Sequence, residues 1–465
     1  MIIKLIIPRR KNANVGLQKY DLPFSSMIMD KKMRGTIMYS MPLIAALTPK
    51  NIKVVIQDEN IEQIKFDEKV NLVGITANVS LALRAYEIAD EFRRRGITVV
   101  IGGIHTSLFQ QEGLEHADSL VIGEAENVWA DVIRDFIRKD LKKIYEGKGP
   151  ADINKQPLPR YNLVKNEKYS YYTVQTVSGC SSQCDYCAIH TYPKWNYRCK
   201  NVDRVIDEVK YLNLLGKKLI YFCDSNFAIN FKRAKELMRK LIRLKISYVT
   251  QARIEIFRDP ELLELLHDSG CVNIVTGLET INQKNLYSMN KKYNVDLYQE
   301  AIHTIQKKGL LVTGSFMLGF DNDDITVFES MVDFINKSSL GASFLNIVTP
   351  LPGTPLYCRL EKEGRILHRN WTDYDFHHVC FRPKNMTTEE LANGYLWASQ
   401  QAYSLQDIYN RVLNLYKVWN ANDVRKKARE IPLLLNLNLH YAMKSYPRAI
   451  HPRDFGNKSR HKKFS

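Results

Sequence analysis

Three cysteines lie close together in SGCSSQCDYC, the sequence of residues 178–187. Cys180, Cys184 and Cys187 are separated by three and then two residues, so one loop can present three thiolates to one iron–sulfur cluster. With three protein ligands, one iron of a four-iron cluster stays open to bind a substrate directly. The loop therefore predicts redox chemistry at a metal centre that accepts an outside ligand.

A zinc site is the alternative interpretation of this loop, because zinc also binds cysteine thiolates. It needs a fourth ligand, for which His190 and Cys199 are the candidates. The chain has eight cysteines in 465 residues, too few for the disulfide framework of a small secreted protein. We therefore expect metal or redox chemistry in a reducing compartment, and a cytoplasmic location.

Outward from the cysteine loop, strand-like runs alternate with helical patterns. Six strand candidates begin at spacings that suit a series of βα units, near Thr173, Leu219, Tyr248, Val272, Leu311 and Phe344. Six units are too few for a closed eight-stranded barrel but sufficient for an open one. The sequence predicts an α/β protein with a partial (β/α)6 barrel over residues 169–355 and a mainly helical extension over residues 356–465.

Residues 1–150 predict a doubly wound, Rossmann-like parallel sheet, because short β-branched runs alternate with helical patterns. Prolines and polar residues then predict a linker over residues 151–168. Ligands of doubly wound sheets bind beyond the carboxyl ends of the strands. The candidate ligand-binding residues at those ends are Thr76, Gly102, Gly103, His105, Gly123 and Glu124.

The cysteine loop resembles that of the radical S-adenosylmethionine superfamily, which has three cysteines at these spacings and an aromatic residue before the last, here Tyr186. The superfamily also has a six-unit βα barrel, and the resemblance extends from about Val174 to Pro352. It implies that the open iron of a [4Fe-4S] cluster binds S-adenosylmethionine. It further implies that an external donor such as flavodoxin or ferredoxin supplies an electron, which splits the sulfonium into methionine and a 5′-deoxyadenosyl radical.

The resemblance also implies residues that bind S-adenosylmethionine at the catalytic rim of the barrel. Asp224, Ser225 and Asn226 stand where the superfamily holds the ammonium group, and Arg253 is available to pair with the carboxylate. Turn formation and helix capping are the alternative roles of Asp224 and Asn226.

Three further residues are implied at later strands of the barrel. Glu279 could accept hydrogen bonds from the ribose hydroxyls, with a surface ion pair as its alternative role. Ser315 belongs to a strand that resembles the one lining the adenosine in the superfamily. Val348 begins the segment that ends at Pro355, which forms a rigid turn under the adenine site.

The predicted first domain resembles that of the cobalamin-binding subclass. Gly102 and Gly103 match a Gly-Gly element of that subclass, and residues 123–126 match its frequent Gly-Glu-x-Glu sequence. One motif departs from the pattern, because the Asp-x-His-x-x-Gly sequence that supplies a cobalt ligand is missing and residues 12–34 contain no histidine. Either cobalt has no protein histidine ligand or the domain has lost its cofactor. His105 is a substitute candidate whose alternative role is structural.

The C-terminal segment over residues 350–403 resembles the extension of a branch that contains hopanoid methylases. The apolar residues 431–439 lie beside a basic cluster and fit a helix in a membrane interface, with core packing as the alternative. No stretch is long and apolar enough for a membrane span, and Ile2–Ile7 is too short for a signal-peptide core. A peripheral contact with a membrane surface is therefore a hypothesis for the extension.

Lysines and arginines number 67 against 50 acidic residues, which gives a net charge of +17 and favours an acidic partner. No basic and aromatic nucleic-acid motif stands out, so we expect no nucleic-acid partner. The favoured hypothesis is cobalamin-dependent methylation of an unactivated carbon, with a lipid or another small molecule as substrate. Radical carbon–carbon bond formation, cyclisation or rearrangement is the second hypothesis, and a non-catalytic cobalamin or redox sensor is the third.

Overall fold

The first half of the chain folds around a fully parallel, six-stranded sheet. The computed structural model describes residues 1–10, 37–164, 169, 171–190, 197–216, 219–419 and 438. The strand order β2-β1-β3-β4-β5-β6 reverses between β1 and β3, which confirms the doubly wound prediction. The strands are β1 (Ile2–Ile7), β2 (Lys53–Asp58), β3 (Leu72–Thr76), β4 (Thr98–Gly102), β5 (Ser119–Ile122) and β6 (Ile144–Glu146).

Helices cover both faces of this sheet, which explains why its strands are nearly continuous apolar runs. On one face, Ile88 and Phe92 pack against Val73 and Val99 in a buried cluster. The other face joins a second, larger core. The helices are α1 (Ser40–Leu47), α2 (Ala82–Arg94), α3 (Ile104–Leu108), α4 (Gln110–His116) and α5 (Trp129–Ile137).

The second half contains another parallel sheet, in which six strands follow one another in chain order. The edges are its first and last strands, so the predicted open arrangement of six βα units is confirmed. A two-stranded hairpin, β8 (Val177–Ser178) with β9 (Arg198–Cys199), flanks the cysteine loop. The sheet contains β7 (Tyr172–Val174), β10 (Leu219–Phe222), β11 (Ser247–Gln251), β12 (Cys271–Glu279), β13 (Leu311–Leu318) and β14 (Ala342–Ile347).

The helices of this sheet are amphipathic and bury one apolar face against the strands. In α6, for example, Val205, Val209 and Leu212 are fully buried. The helices are α6 (Val202–Leu214), α7 (Phe231–Leu241), α8 (Pro260–Asp268), α9 (Gln283–Ser288), α10 (Tyr298–Lys307) and α11 (Val327–Lys337).

Beyond β14 the described chain is mainly helical, as predicted, with α12 (Pro355–Lys362), α13 (Thr388–Ala402) and α14 (Leu405–Val418). Helix α13 approaches α11 so closely that a Cβ at Gly394 would lie 2.2 Å from Phe328. Among the described helices, none has the length and hydropathy needed to cross a bilayer. The predicted interfacial helix at 431–439 lies outside the described residues, apart from Asn438.

The two sheets share one continuous apolar core that contains, for example, Leu5 of the first sheet and Ile274 of the second. Polar contacts also join them: Tyr169 Oη donates to Asp58 Oδ2 at 2.8 Å. The fold class is thus the predicted one, while the boundaries at residues 150, 168 and 355 stay predictions.

Candidate active site

A cavity of about 670 Å³ lies at the carboxyl ends of the second sheet's strands. All three cysteines of the loop line it, together with residues that belong to or closely follow the five strands β10 to β14. This rim is where βα barrels hold their catalytic groups. Predicted site residues that line the cavity are Cys180, Cys184, Tyr186, Cys187, Ser225, Arg253 and Ser315.

Hydrogen bonds anchor the cysteine loop to the elements around it. The Asp185 N–H donates to the Met289 carbonyl at 3.3 Å, and the Asp185 carbonyl accepts from the Leu356 N–H at 3.0 Å. Asn290 Nδ2 donates to the Gln183 carbonyl at 3.2 Å. The segment after α9 and the first turn of α12 thus fix the loop from two sides.

The thiols of the loop are partly buried and lie close enough to influence each other. Burial raises the pKa of the Cys187 thiol to about 11, and the neighbouring Cys184 and Cys180 act in the same direction. Burial also raises the pKa of Cys184, which the positive charge of Lys291 opposes. Because the thiolate is the form that binds a metal, these thiols must release their protons when a metal binds.

The donor geometry of the described residues differs from that of a single-ion site. No three Cys, His, Asp or Glu side chains in the described part of the chain meet where one metal ion could bind. A four-iron cluster does not require that the three side chains meet at one point, because each thiolate ligates a different iron. Cys199, a candidate fourth zinc ligand, lies on β9 opposite Val177 and does not line the cavity.

A buried ion pair joins Glu279 to Lys291 beside the cysteine loop. Lys291 Nζ lies 2.6 Å from Glu279 Oε1 and 3.4 Å from the Tyr186 hydroxyl. It also lies 4.7 Å from the ring centroid of Tyr293. The strand register shifts at Glu279, whose φ of +67° is unusual for a residue other than glycine. Such conformations persist where the surroundings determine them and often mark functional sites.

Sequence reasoning missed Lys291, which also lines the cavity. The sequence analysis searched for polar residues that follow strands, and Lys291 follows a turn after α9 instead. Its neighbours Asn290 and Lys292 are polar as well, and the sequence has no spacing that distinguishes one of them.

Arg253 reaches across the cavity to the cysteine loop. Its Nη1 donates to Ser182 Oγ at 2.7 Å, and its Nη2 lies 2.5 Å from Glu255 Oε1. The guanidinium lies 5.1 Å from the ring centroid of Tyr293, on which Lys291 also rests. Two cations therefore share one aromatic ring within the cavity lining, where an anionic group could pair with either.

Asp224 lies behind the cavity lining and supports the hairpin before the cysteine loop. Its Oδ1 accepts from the Thr176 and Val177 N–H groups at 2.6 and 2.8 Å, and its Oδ2 accepts from Thr176 Oγ1 at 2.6 Å. Burial raises its pKa to about 6. The carboxylate therefore has three protein donors and holds the chain that leads to Cys180.

Three other predicted residues also lie outside the cavity lining. Asn226 Oδ1 accepts from the Arg253 N–H at 3.4 Å. Val348 is buried, with its N–H bonded to the Leu318 carbonyl at 3.0 Å. Glu279 reaches the lining through Lys291, as described above.

At the carboxyl edge of the first sheet, glycines allow close contacts between strand ends. A Cβ at Gly103 would lie 2.4 Å from the Ala77 carbonyl oxygen, and its φ of +119° favours glycine. Thr76 and Gly102 are partners in the register of β3 and β4. The Gly123 N–H donates to Ser107 Oγ at 3.1 Å, so α3 connects two of these loops.

His105 points away from this edge and into a buried aromatic cluster. Its Nε2 lies 3.1 Å from Glu112 Oε1, and its ring centroid lies 5.4 Å from that of Trp371 in the C-terminal extension. Burial lowers the pKa of His105, which Glu112 opposes only in part. Trp371 Nε1 donates to the other Glu112 oxygen at 3.3 Å, so this cluster connects the extension to the first domain.

Glu124 connects the first sheet to the hairpin beside the cysteines. Its carboxylate accepts two bonds from Arg198 of β9, one at 3.0 Å, and one from the Ala151 N–H at 2.6 Å. Arg198 also donates to Ser178 Oγ at 3.0 Å, two residues before Cys180. The carboxyl edge of the first sheet is thus in contact with the strand that leads into the cysteine loop.

Glu126 starts a second connection to the same hairpin. Its Oε1 accepts from Gln156 at 2.9 Å, and Gln156 Oε1 accepts from the Tyr39 hydroxyl at 3.2 Å. Lys200, which directly follows β9, donates to Tyr39 at 2.9 Å and pairs with Glu208 at 3.1 Å. Both glutamates of the Gly-Glu-x-Glu sequence therefore reach the hairpin, one directly and one through a chain of hydrogen bonds.

Comparison with known proteins identifies two regions of the chain. Residues 174–335 match the family model of the radical SAM superfamily, and residues 354–455 match a domain of unknown function (DUF4070). Bacteriochlorophyllide d C-12(1)-methyltransferase of Chlorobaculum tepidum is 29% identical over 415 residues, which cover 86% of this chain and 90% of the relative. Hopanoid C-2 methylase of Rhodopseudomonas palustris is 28% identical over 367 residues, which cover 72% and 69%.

A solved structure shares the whole architecture. TsrM from Kitasatospora setae, a radical S-adenosylmethionine methyltransferase with cobalamin and a [4Fe-4S] cluster bound, matches with a TM-score of 0.63. The match covers 91% of this chain and 90% of that chain at 15% identity. The likeness therefore concerns the fold.

Proposed function

We propose, on the premise that this chain belongs to the radical S-adenosylmethionine superfamily, that it is a cobalamin-dependent enzyme which methylates an unactivated carbon of a small molecule. One observation carries the proposal: three cysteines line a single cavity next to a hairpin that the carboxyl edge of the first, doubly wound sheet contacts through Glu124. That arrangement brings two potential cofactor sites next to each other.

The chemistry of the donors fits a [4Fe-4S] cluster. Cys180, Cys184 and Cys187 are the only cysteines among the described residues that line the cavity, and Lys291 supplies a positive charge beside Cys184. Bound there, the cluster supplies the electron that splits S-adenosylmethionine into methionine and a 5′-deoxyadenosyl radical, and cobalamin supplies the methyl group.

The chain's own residues position S-adenosylmethionine in this proposal. Arg253 and Lys291 offer positive charges for its carboxylate, since a charged hydrogen bond to an anion is stronger than a neutral one. Ser225 and Ser315 line the cavity with hydroxyl groups for its polar atoms. Asp224 and Asn226 act indirectly, because Asp224 holds the hairpin and Asn226 holds the Arg253 backbone.

Cobalamin is proposed to bind at the carboxyl edge of the first sheet, along Thr76, Gly102, Gly103 and Gly123. The strand order reverses between β1 and β3, and doubly wound sheets bind ligands beside such a reversal. His105 is turned into the cluster with Trp371, so it is unsuited to ligate cobalt. The cofactor would be held without that histidine.

We extend the proposal to an apolar substrate, with a lipid as one example. Support comes from the cavity lining, in which Ile189, Val275 and Phe344 stand among the polar residues. The two relatives are named for a bacteriochlorophyllide and a hopanoid. An external donor of flavodoxin or ferredoxin type is proposed to deliver the electron, and the net charge of +17 favours an acidic partner. Membrane contact through residues 431–439 stays a prediction.

Anaerobic reconstitution of the full chain tests the proposal. UV–visible spectra should show an iron–sulfur cluster and bound cobalamin together. With reductant and a suitable substrate, the reaction should yield 5′-deoxyadenosine and S-adenosylhomocysteine, the second of which reports methyl transfer from S-adenosylmethionine.

The other hypotheses predict different products. 5′-Deoxyadenosine with no S-adenosylhomocysteine would favour radical bond formation, cyclisation or rearrangement. Bound cobalamin with neither product, even in the presence of excess reductant, would favour a sensor. A protein that assembles no cluster with all three cysteines intact would contradict the proposal.

A further inference from the structure

The hairpin that flanks the cysteine loop has only two residue pairs. Val177 of β8 lies opposite Cys199 of β9, and Ser178 lies opposite Arg198. All three cysteines of the loop belong to the residues between these strands, 179–197. Because a two-stranded hairpin is only marginally stable by itself, the position of the cysteines depends on the contacts that hold this hairpin.

The second sheet holds the end of the hairpin that lies away from the cysteines. Asp224, which follows β10, accepts from the Thr176 and Val177 N–H groups. Arg233 of α7 donates from Nε to the Lys200 carbonyl at 2.9 Å and from Nη2 to the Thr176 carbonyl at 3.1 Å. These contacts fix the chain where it enters the first strand of the hairpin and where it leaves the second.

The first sheet holds the end of the hairpin that adjoins the cysteines, and it does so through Arg198. The guanidinium binds both carboxylate oxygens of Glu124, and its Nη1 also donates to the Ala151 carbonyl. Its Nη2 donates to Ser178 Oγ at 3.0 Å, on the opposite strand. The Arg198 and Glu124 side chains are 21% and 18% exposed, so this ion pair is largely shielded from water. One side chain thus joins both strands of the hairpin to the loop after β5.

This contact lies on a short path between the two proposed cofactor sites. Glu124 directly follows Gly123, which belongs to the edge proposed for cobalamin, and one residue separates Ser178 from Cys180. We propose that Arg198 is a positioning residue that sets the place of the cysteine loop relative to that edge, an inference that rests on the proposed function. The reaction needs such alignment, because hydrogen abstraction and methyl transfer act on the same substrate carbon. A misplacement of about 1 Å can lower a rate about 100-fold.

Arg198→Lys in the reconstituted full chain tests this role. The variant keeps the positive charge, but one ammonium group cannot replace a guanidinium that binds both Glu124 oxygens and Ser178 together. It should contain as much iron and cobalamin as the wild type. The spin–spin interaction between the reduced cluster and cobalt(II), measured by EPR without any substrate, should change because it depends on their separation. With substrate, the amount of methyl transfer for each 5′-deoxyadenosine should fall about tenfold.

Arg93→Lys is the matched control. Arg93 also pairs with a carboxylate, that of Asp118, but this pair lies at the amino end of β5 and away from the hairpin. The control should leave the EPR spectrum and the product ratio unchanged. Ser178→Ala removes one contact of Arg198 and keeps the ion pair, so it should change the spectrum in the same direction by a smaller amount. This variant tests the proposal even if Arg198→Lys fails to fold.

The possible failures of the two proposals differ. If Arg198→Lys and Ser178→Ala melt at a lower temperature but keep the wild-type EPR interaction and product ratio, Arg198 has only a structural role and the inference is overturned. Loss of either cofactor in Arg198→Lys would also overturn it, because Arg198 would then be needed for binding and not for alignment. A wild-type chain that binds neither a cluster nor cobalamin would instead refute the proposed function.

Discussion

The carboxyl edges of the two sheets have similar loops but use them differently. At the second sheet, Cys184, Ser225 and Arg253 face a cavity. At the first sheet, Glu124 contacts Arg198 and His105 contacts Glu112, so both side chains contact other parts of the chain. The named side chains at the second edge line the cavity, and those at the first edge connect different parts of the chain.

This difference shows that a polar residue after a buried strand has two common uses. Such a residue can line a cavity, as Ser225 does, or connect two parts of the chain, as Glu124 does. The alternatives lead to distinct experimental results, because a residue that touches a cofactor changes its affinity or spectrum, while a connecting residue changes stability and alignment.

The largest effect is expected at the carboxyl edge of the second sheet, where the cysteines line the cavity. Cys184→Ala removes one of three thiolates, so the cluster absorbance and the production of 5′-deoxyadenosine should fall to background. Bound cobalamin, measured after gel filtration, should remain. Cys358→Ala changes an exposed cysteine outside the cavity and is the matched control. Loss of both cofactors in Cys184→Ala would contradict the assignment of two separate sites.

At the carboxyl edge of the first sheet, Glu124→Gln should lower the free energy of unfolding by about 2 kcal/mol, because it weakens the hydrogen-bonded ion pair with Arg198. Arg198→Met should have a similar effect, and the double variant should be little worse than either single one. Denaturant titration measures all three. If Glu124→Gln instead weakened cobalamin binding at unchanged stability, Glu124 would be a cofactor ligand and the comparison would fail.

The ion pair Lys291–Glu279 lies between the two cases, because Lys291 lines the cavity and Glu279 holds it from outside the lining. Lys291→Met should reduce the affinity for S-adenosylmethionine about tenfold, since the cavity loses one of the three cations in its lining, Arg253, Lys291 and Lys292. Equilibrium dialysis of the reconstituted protein measures this change. Lys284→Met is the control, because Lys284 has the same charge, is exposed and does not line the cavity. Equal losses in both variants would indicate a general effect of charge.

The smallest effect is expected for His105→Gln. The variant should lose about 1 kcal/mol of stability, because a buried hydrogen bond to Glu112 and ring contacts with Trp371 are weakened. The visible spectrum of bound cobalamin should not change. A shifted cobalt spectrum would show that His105 reaches the cofactor. His105 would then no longer support the difference between the carboxyl edges of the two sheets.

The sequence was sufficient for much of the fold and for the cysteines of the site. Long apolar runs separated by amphipathic helices predict strands buried on both faces, and all six strands of the second sheet lie near the predicted positions. Strand β6 escaped notice because it has only three residues. The cysteines are close in sequence, so their spacing alone brings them into one loop.

The partners of the other polar residues could not be predicted in the same way. Glu124 and Arg198 are 74 residues apart, and His105 meets Trp371 of a different domain. Such contacts depend on how the two sheets pack, which no local pattern encodes. Lys291 was missed because it follows a turn instead of a strand, and its contact with Glu279 depends on the shifted strand register there.

The buried path from Glu126 through Tyr39 and Lys200 to Glu208 has a consequence for how the molecule is built. Lys200 and Glu208 are 4% and 2% exposed, and the apolar core around them is continuous between both sheets. Neither half should therefore be obtainable as a stable fragment, and heating should give one calorimetric transition. Grafting the first domain from a relative would require its linker and hairpin to be transplanted with it.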